Sequence, residues 1–277
     1  MWEASKDLIH GWLRPDPWTL FILAYWTVFA AIAWLETVNP AFRNSPDRER
    51  RWPTNIGLGI TNMLLLSLVP VSALLGATWA ERNDWGLLNL LDVPLWAAVA
   101  TSLMIRSLVE YVFHVLMHKV PFLWRLHRIH HSDARLDVTT AVRDHPLELV
   151  ALVVTLGLSA AAFGLNVWVV VVYELAESVI SLAAHANLRL PDRLDRALRW
   201  ILITPNMHCL HHSAYQPETD SNYGQVFSVW DRLFGTYSAA PRGGYDSIQF
   251  GLEEVQDARA ASFWWQLRSP VYRSLRR

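Results

Sequence analysis

The sequence predicts an all-α, multi-span helical membrane protein with histidines gathered near one end of its helices. Three observations predict it. Hydrophobic residues make up 52% of the 277 positions and charged residues only 18%, below the roughly 25% of a soluble domain. Long stretches carry no charge at all, and 15 tryptophans suit side chains seated at the headgroup level. Ten of the 11 histidines fall between positions 114 and 212, at repeating helical spacings. The same numbers exclude other classes. The chain is too apolar to be disordered, and Cys209, its one cysteine, excludes a disulfide scaffold. A net charge of -1 argues against a nucleic-acid partner.

A spanning helix needs about 20 mostly apolar residues. Trp18–Leu35 is the first candidate, and Trp52–Ala80, 29 residues without a charge, is the second. Val93–Ile105 begins the third, whose apolar pattern runs past Arg106 and Glu110 to His118. Leu149–Tyr173 continues past Glu174 and Glu177 to Ala184. That run is either one tilted span or a hairpin bent near Gly164–Asn166. The hairpin is preferred, because a single span would leave His185 and all later histidines across the membrane from His114 and His118. Met1, Trp2 and Glu3 open no charged leader, so no cleavable signal peptide is expected. Arg43, Arg48, Arg50 and Arg51 crowd the first loop, whereas only Arg82 follows the second apolar run. The positive-inside rule therefore puts the first loop, and with it the histidine-rich face, in the cytoplasm.

The histidines form three sets. His114 and His118 make HVLMH; His127, His130 and His131 make HRIHH; His208, His211 and His212 make HCLHH. Residues three and four apart share a helix face, so each set is expected to direct its imidazoles one way. Neutral imidazole suits iron, zinc, copper and nickel. A zinc ion takes three or four protein ligands, so eight imidazoles exceed one ion's capacity. His145 and His185 raise the candidate ligands to ten, and their convergence would make a two-metal site. His10 stands apart.

Several motifs around these histidines carry a resemblance: HVLMH, LHRIHHS (Leu126–Ser132), RDHPLE (Arg143–Glu148), HANLRLP (His185–Pro191), MHCLHHS (Met207–Ser213), NYG (Asn222–Gly224) and VWDRLFGTY (Val229–Tyr237). From about Glu110 to Tyr237 the chain resembles the fatty acid hydroxylase/sterol desaturase superfamily of integral-membrane di-iron enzymes. The resemblance implies helical spans under a cytosolic helical cap that holds two iron ions, with zinc able to substitute in preparations. It also implies O2-dependent attack on an unactivated C–H bond of a lipid substrate. The eight histidines of the pair and triplets match the core motifs directly. His185 matches a further ligand position, and His145 is either a ligand or a support for one.

Metal-bound histidines usually donate their second N–H to a carboxylate or carbonyl. Arg106, Glu110, His114 and His118 follow one another at four-residue steps. Glu110 is therefore expected to orient His114, with Arg106 holding Glu110; a plain interfacial ion pair is the alternative. Glu177, Ser181 and His185 repeat the step. Asp231 joins Glu110 and Glu177 as a supporting carboxylate, and Asp133, Asp144 and Glu148 are weaker candidates. Gly224 and Gly235 read as turn residues; Trp230, Phe234 and Tyr237 read as packing.

Three segments result: spans in 1–93, a catalytic domain in 94–240 including the third span and the hairpin, and a tail in 241–277. In that tail Phe263, Trp264 and Trp265 precede Arg268, Arg273, Arg276 and Arg277, which suits an amphipathic segment on an anionic membrane surface. The expected function is a lipid hydroxylase using O2. A desaturase with the same site, a non-catalytic membrane protein binding metal or lipid, and a zinc hydrolase (disfavoured by the lack of HExxH) are the rivals. The sequence has no dinucleotide fingerprint and no cysteine cluster, so electrons are expected from an external ferredoxin- or cytochrome-like donor.

Overall fold

The computed structural model describes residues 17–42, 47–91 and 93–272. His10, Arg43, the leader reading at Met1–Glu3, and Arg273, Arg276 and Arg277 lie outside them. Among the described residues the regular structure is helical, and β-pairing is confined to isolated bridges such as Leu202 with Phe227.

Helix α1 (Pro17–Val38) is apolar nearly throughout, and Leu20, Leu23 and Trp34 on it are exposed, as a lipid-facing span requires. The second uncharged run is not one helix. It divides into α2 (Arg48–Leu66) and α3 (Ala73–Arg82). Pro70 lies in the break and offers no amide hydrogen. The Ser72 hydroxyl accepts the Leu75 N–H at 3.1 Å and restarts the helix. Helix α2 is also more polar than its charge count suggests, since Arg51, Asn55 and Asn62 are buried against the rest of the protein.

A short turn, α4 (Leu87–Leu90), leads to α5 (Leu95–Lys119), and α6 (Pro121–His131) follows at once. The hairpin forms as expected. Helix α7 (Pro146–Phe163) ends on Gly164 at φ 64°, and α8 (Val167–His185) starts with the Asn166 side chain accepting the Val169 N–H at 3.2 Å. Among the described residues four helices are long and apolar enough to cross a membrane: Thr19–Val38 within α1, then α5, α7 and α8.

Small residues set the packing between α3 and α7. A Cβ on Gly76 would stand 2.2 Å from the Gly157 carbonyl oxygen, so the two backbones meet directly, as membrane helices do at small residues. Ala73, Ala77, Leu156, Ala160, Leu165 and Val170 close the core there.

Above the site ends of α5, α7 and α8 sits a cap made of α6, the short helices α9 (Asp192–Leu198), α10 (Pro205–His211), α11 (Gln216–Thr219) and α12 (Val229–Leu233), and their loops. The chain beyond 241 packs into this cap. In α13 (Phe263–Arg268), Gln266 is buried and accepts from the Ser132 hydroxyl at 3.1 Å. Ala261 O accepts from Thr54 Oγ1 at 2.6 Å, and Ser269 O accepts from the Arg128 guanidinium. Residues 258–269 thus tie α2 to α6; Trp264 stays exposed.

Candidate metal centre

Nine imidazoles converge in two buried groups. His114, His118, His127, His131 and His211 form one, and His130, His185, His208 and His212 form the other. Within each group the nearest ring nitrogens all lie within 4.8 Å of one another. Each triplet is split between the groups, against the expectation that it would point one way. His127 and His131, four apart on α6, go to one group, and His130 goes to the other. His208 and His212 likewise part from His211. Neighbours on a helix diverge by about 100°, whereas residues four apart nearly eclipse, so the triplet HxxHH presents two faces.

The tautomers follow from the acceptors around the rings. His114 Nδ1 lies 2.6 Å from Tyr223 O, His211 Nδ1 lies 2.7 Å from Ser221 O, and His185 Nδ1 lies 2.8 Å from Ser181 O. A carbonyl only accepts, so each Nδ1 carries the proton and each Nε2 is a lone pair. Gln225 Nε2 also lies 3.0 Å from His114 Nδ1. A carboxylate holds one more ring: Glu148 Oε1 lies 2.7 Å from His127 Nδ1, whereas Asp144 Oδ1, 3.2 Å from His130 Nδ1, makes no hydrogen bond to it. His118 Nδ1 is 3.5 Å from Asp220 Oδ1.

The Nε2 atoms therefore face each other. His114 and His211 are separated by 3.1 Å, His114 and His127 by 3.2 Å, and His185 and His208 by 2.9 Å. Between His114 and each of His211 and His127, whose Nδ1 atoms all carry the proton, opposed lone pairs at that distance repel unless a cation lies between them. Neighbouring nitrogens bound about 2.1 Å from one ion stand about 3.0–3.4 Å apart, which these separations match. The donor set fits two imidazole-bound ions. Burial also keeps the cap imidazoles neutral: it holds His127, His131, His208, His211 and His212 well below the usual histidine range, and neighbouring rings push the same way.

His145 joins neither group. It caps α7, its Nδ1 accepting the Leu147 N–H at 3.1 Å, with Nε2 3.3 Å from Leu267 O. Glu110 does not reach His114 either. It accepts from Tyr173 Oη at 2.7 Å and lies 3.4 Å from Arg106 Nη1. The expected Arg106–Glu110 pair is present, but the Tyr223 carbonyl orients His114. Glu177 pairs with Arg106 at 2.7 Å and not with His185, whose Nδ1 is held by the Ser181 carbonyl. Asp231 acts one step removed. Its carboxylate accepts from Tyr223 N at 2.7 Å, Gly224 N at 2.9 Å and Thr236 Oγ1 at 2.6 Å, which pins the backbone whose carbonyl meets His114. Burial raises the Asp231 carboxyl, while the bonds from Thr236, Gly224 and Tyr223 pull it down.

Asp133 anchors the cap to α2. It accepts from Arg51 Nη2 at 2.9 Å and from Asn55 Nδ2 at 2.8 Å. Burial opposes its charge, but Arg51 and Arg143 hold it well below the usual carboxylate range. Arg143 itself donates to Ile129 O, at 2.9 Å, next to His130. Sequence spacing carries no sign of Asp220, Ser221 or Gln225, because each meets its histidine across the fold.

The fold and the site define a multi-span helical membrane protein with two buried imidazole groups that could each hold a metal ion. The sequence model of the Fatty acid hydroxylase family matches residues 99–236, the stretch that contains every converging histidine. The chain belongs to the fatty acid hydroxylase superfamily. It is 30% identical over 188 residues to the ornithine lipid hydroxylase OlsE of Rhizobium tropici, covering 66% of this chain and 53% of that protein. It is 28% identical to the alkylglycerol monooxygenases of Caenorhabditis elegans, over 57% of this chain and 30% of the relative, and of Xenopus tropicalis, over 67% and 42%. The chain thus spans about half the length of these relatives or less. No solved structure matches it significantly.

Proposed function

We propose that the protein is a membrane-bound di-iron oxygenase that hydroxylates a C–H bond of a lipid, using O2 and electrons from an external donor. One observation carries this reading: a cavity of about 410 Å³ runs to both imidazole groups, meeting His114 and His127 of one and His130 and His185 of the other. Its size falls within the range of small-molecule sites. Phe21, Trp26, Met63, Leu149 and Leu152 line it and suit an alkyl chain. These walls exclude water from the reacting carbon and fix the chain against the histidines. The relatives named above are lipid hydroxylases and monooxygenases, which agrees with that lining.

In this reading His114, His118, His127, His131 and His211 hold one iron, and His130, His185, His208 and His212 hold the other. Bound there, the irons supply the O2 activation and C–H oxidation that amino-acid side chains cannot perform. Glu148 keeps the Nδ1 proton of His127 in place, leaving its Nε2 free to ligate. Arg48 and Arg50 at the start of α2 favour the cytoplasm for the site face, where a soluble ferredoxin- or cytochrome-like donor has access.

The test uses iron-loaded protein in mild detergent with a chemical reductant, a lipid extract and isotopically labelled O2. A product carrying one labelled hydroxyl is the expected result. A product lacking two hydrogens would make the protein a desaturase. No product from protein holding two irons per chain would overturn the enzymatic reading in favour of a binding protein.

A further inference from the structure

Part of the cap lies beside the spans rather than above them. The Trp230 indole N–H donates to Ser107 Oγ at 3.1 Å, the Tyr111 and Thr236 hydroxyls hydrogen-bond at 2.8 Å, and the Tyr111 and Phe234 rings stack at 5.5 Å. Ser107 is the middle residue of α5 (Leu95–Lys119). A hydrocarbon core of about 30 Å takes about 20 helical residues. Even set flush with Leu95 at the far end, it reaches about Val115, which leaves Ser107 about 12 Å and Tyr111 about 6 Å beneath its surface. A second helix agrees. The Phe227 ring lies 6.1 Å from that of Tyr173 on α8, about 18 Å along the helix from His185.

The surface of this element suits that depth. Trp200, Ile201, Val229, Leu233 and Phe234 are 47–67% exposed. Every exposed residue within 197–203 and 227–235 is uncharged. The cations among them are covered. Arg232 lies across Trp200 and Tyr237 at 4.4 and 3.8 Å and donates to Arg199 O at 2.8 Å, and Arg199 pairs with Asp195. Exposed charge returns on α9, at Arg193 and Arg196, which suits headgroup phosphates. The patch also continues the lipid-facing surface of α5, where Leu103 and Met104, one turn before Ser107, are exposed.

We infer that the patch formed by Trp200, Ile201, Val229, Leu233 and Phe234 inserts among the acyl chains of the leaflet on the site side, as an element seated against α5. At that depth an exposed side chain has no water to meet, and large apolar patches mark interaction surfaces. The same segment carries Asp231 and follows Tyr223, the pair behind His114, so the bilayer seats the backbone that supports this imidazole. Neither metal nor substrate is needed for the contact, which stands or falls apart from the oxygenase reading.

The test attaches a fluorophore to the full-length Leu233→Cys variant, reconstituted in vesicles of phosphatidylcholine and phosphatidylglycerol; Cys209 is buried and stays unlabelled. Met104→Cys is the lipid-facing reference, and Gln216→Cys, exposed on α11, is the aqueous one. Iodide is expected to quench the Leu233→Cys probe at least about fivefold less than the Gln216→Cys probe, because an ion is excluded from hydrocarbon. Lipid carrying a mid-chain nitroxide is expected to quench it to within about twofold of the Met104→Cys probe. Iodide quenching equal to that of Gln216→Cys places the patch in water and overturns the inference. Protection from both quenchers overturns it as well, because a second copy or another protein then covers the patch. If Leu233→Cys departs from the wild type in gel filtration, photolysis of the wild-type protein in vesicles holding a mid-chain diazirine lipid decides. Lipid adducts on Trp200, Leu233 or Phe234 are then expected, and adducts confined to the spanning helices overturn the inference.

Discussion

Glu148 Oε1 lies 2.7 Å from Nδ1 of His127, with both side chains buried. The pairing fixes the His127 tautomer and turns its Nε2 toward His114 and His131, 3.2 and 3.1 Å away. Carboxylates behind metal-bound histidines raise ligand basicity, and their loss typically weakens metal binding about 10–100-fold. Glu148→Ala is expected to lower metal affinity by that factor in a chelator competition, with Glu148→Gln less affected. An unchanged affinity in the alanine variant would remove Glu148 from the centre.

His130 and His145 separate ligand from scaffold. His130→Ala removes a nitrogen from the four-histidine group and is expected to bring metal content from about two ions per chain toward one. His145→Ala keeps both ions and loses only the cap of α7, worth about 1 kcal/mol. Elemental analysis beside thermal unfolding checks the pair. Equal metal loss in the two variants would mean that His145 also ligates.

Asp231 supports the centre through the backbone. Asp231→Ala strands two amides, those of Tyr223 and Gly224, at a stability loss of about 3 kcal/mol. It should also lower metal occupancy, because the Tyr223 carbonyl no longer stays fixed against His114. Wild-type Tm and metal content in this variant would show that the loop is held by other contacts.

The metal-free protein should weaken in acid. Burial holds His127, His131, His208, His211 and His212 below the usual range, whereas in the unfolded chain they take protons near pH 6.5, about the free histidine value. The unfolded state then binds more protons, so stability is fully present above about pH 6.5 and falls as pH drops below it. Added iron or zinc at a thousandfold excess over Kd should raise stability by about 4 kcal/mol per site near neutral pH. Tm measured against pH, with and without metal, tests both statements. A flat metal-free profile would contradict the first, and no rise with metal the second.

Much of this was legible in the residues themselves. The Gly164–Asn166 bend could be read because glycine accepts the left-handed closing position of α7 and asparagine caps α8. Ten ligand candidates could be read because histidine is rare inside apolar helices and these recur at helical spacing; nine of them converge, and His145 does not. The break in the Trp52–Ala80 run was harder to see, because an uncharged stretch gives length but not continuity. The proline that interrupts it is uncharged too.

The sequence by itself determined the spans in α1, α5, α7 and α8, the hairpin, the family and which imidazoles are available, since these depend on local composition and on the 3.6-residue period. Only the tertiary structure decided how the histidines divide, which carbonyl or carboxylate stands behind each ring, and that His145 caps a helix. The reason is physical. A helix face dictates which side chains travel together, but what they meet depends on contacts between elements far apart in the chain. His114 finds Tyr223 and His211, and His130 finds His185, through the packing of α5, α6, α8 and α10, which no local pattern encodes.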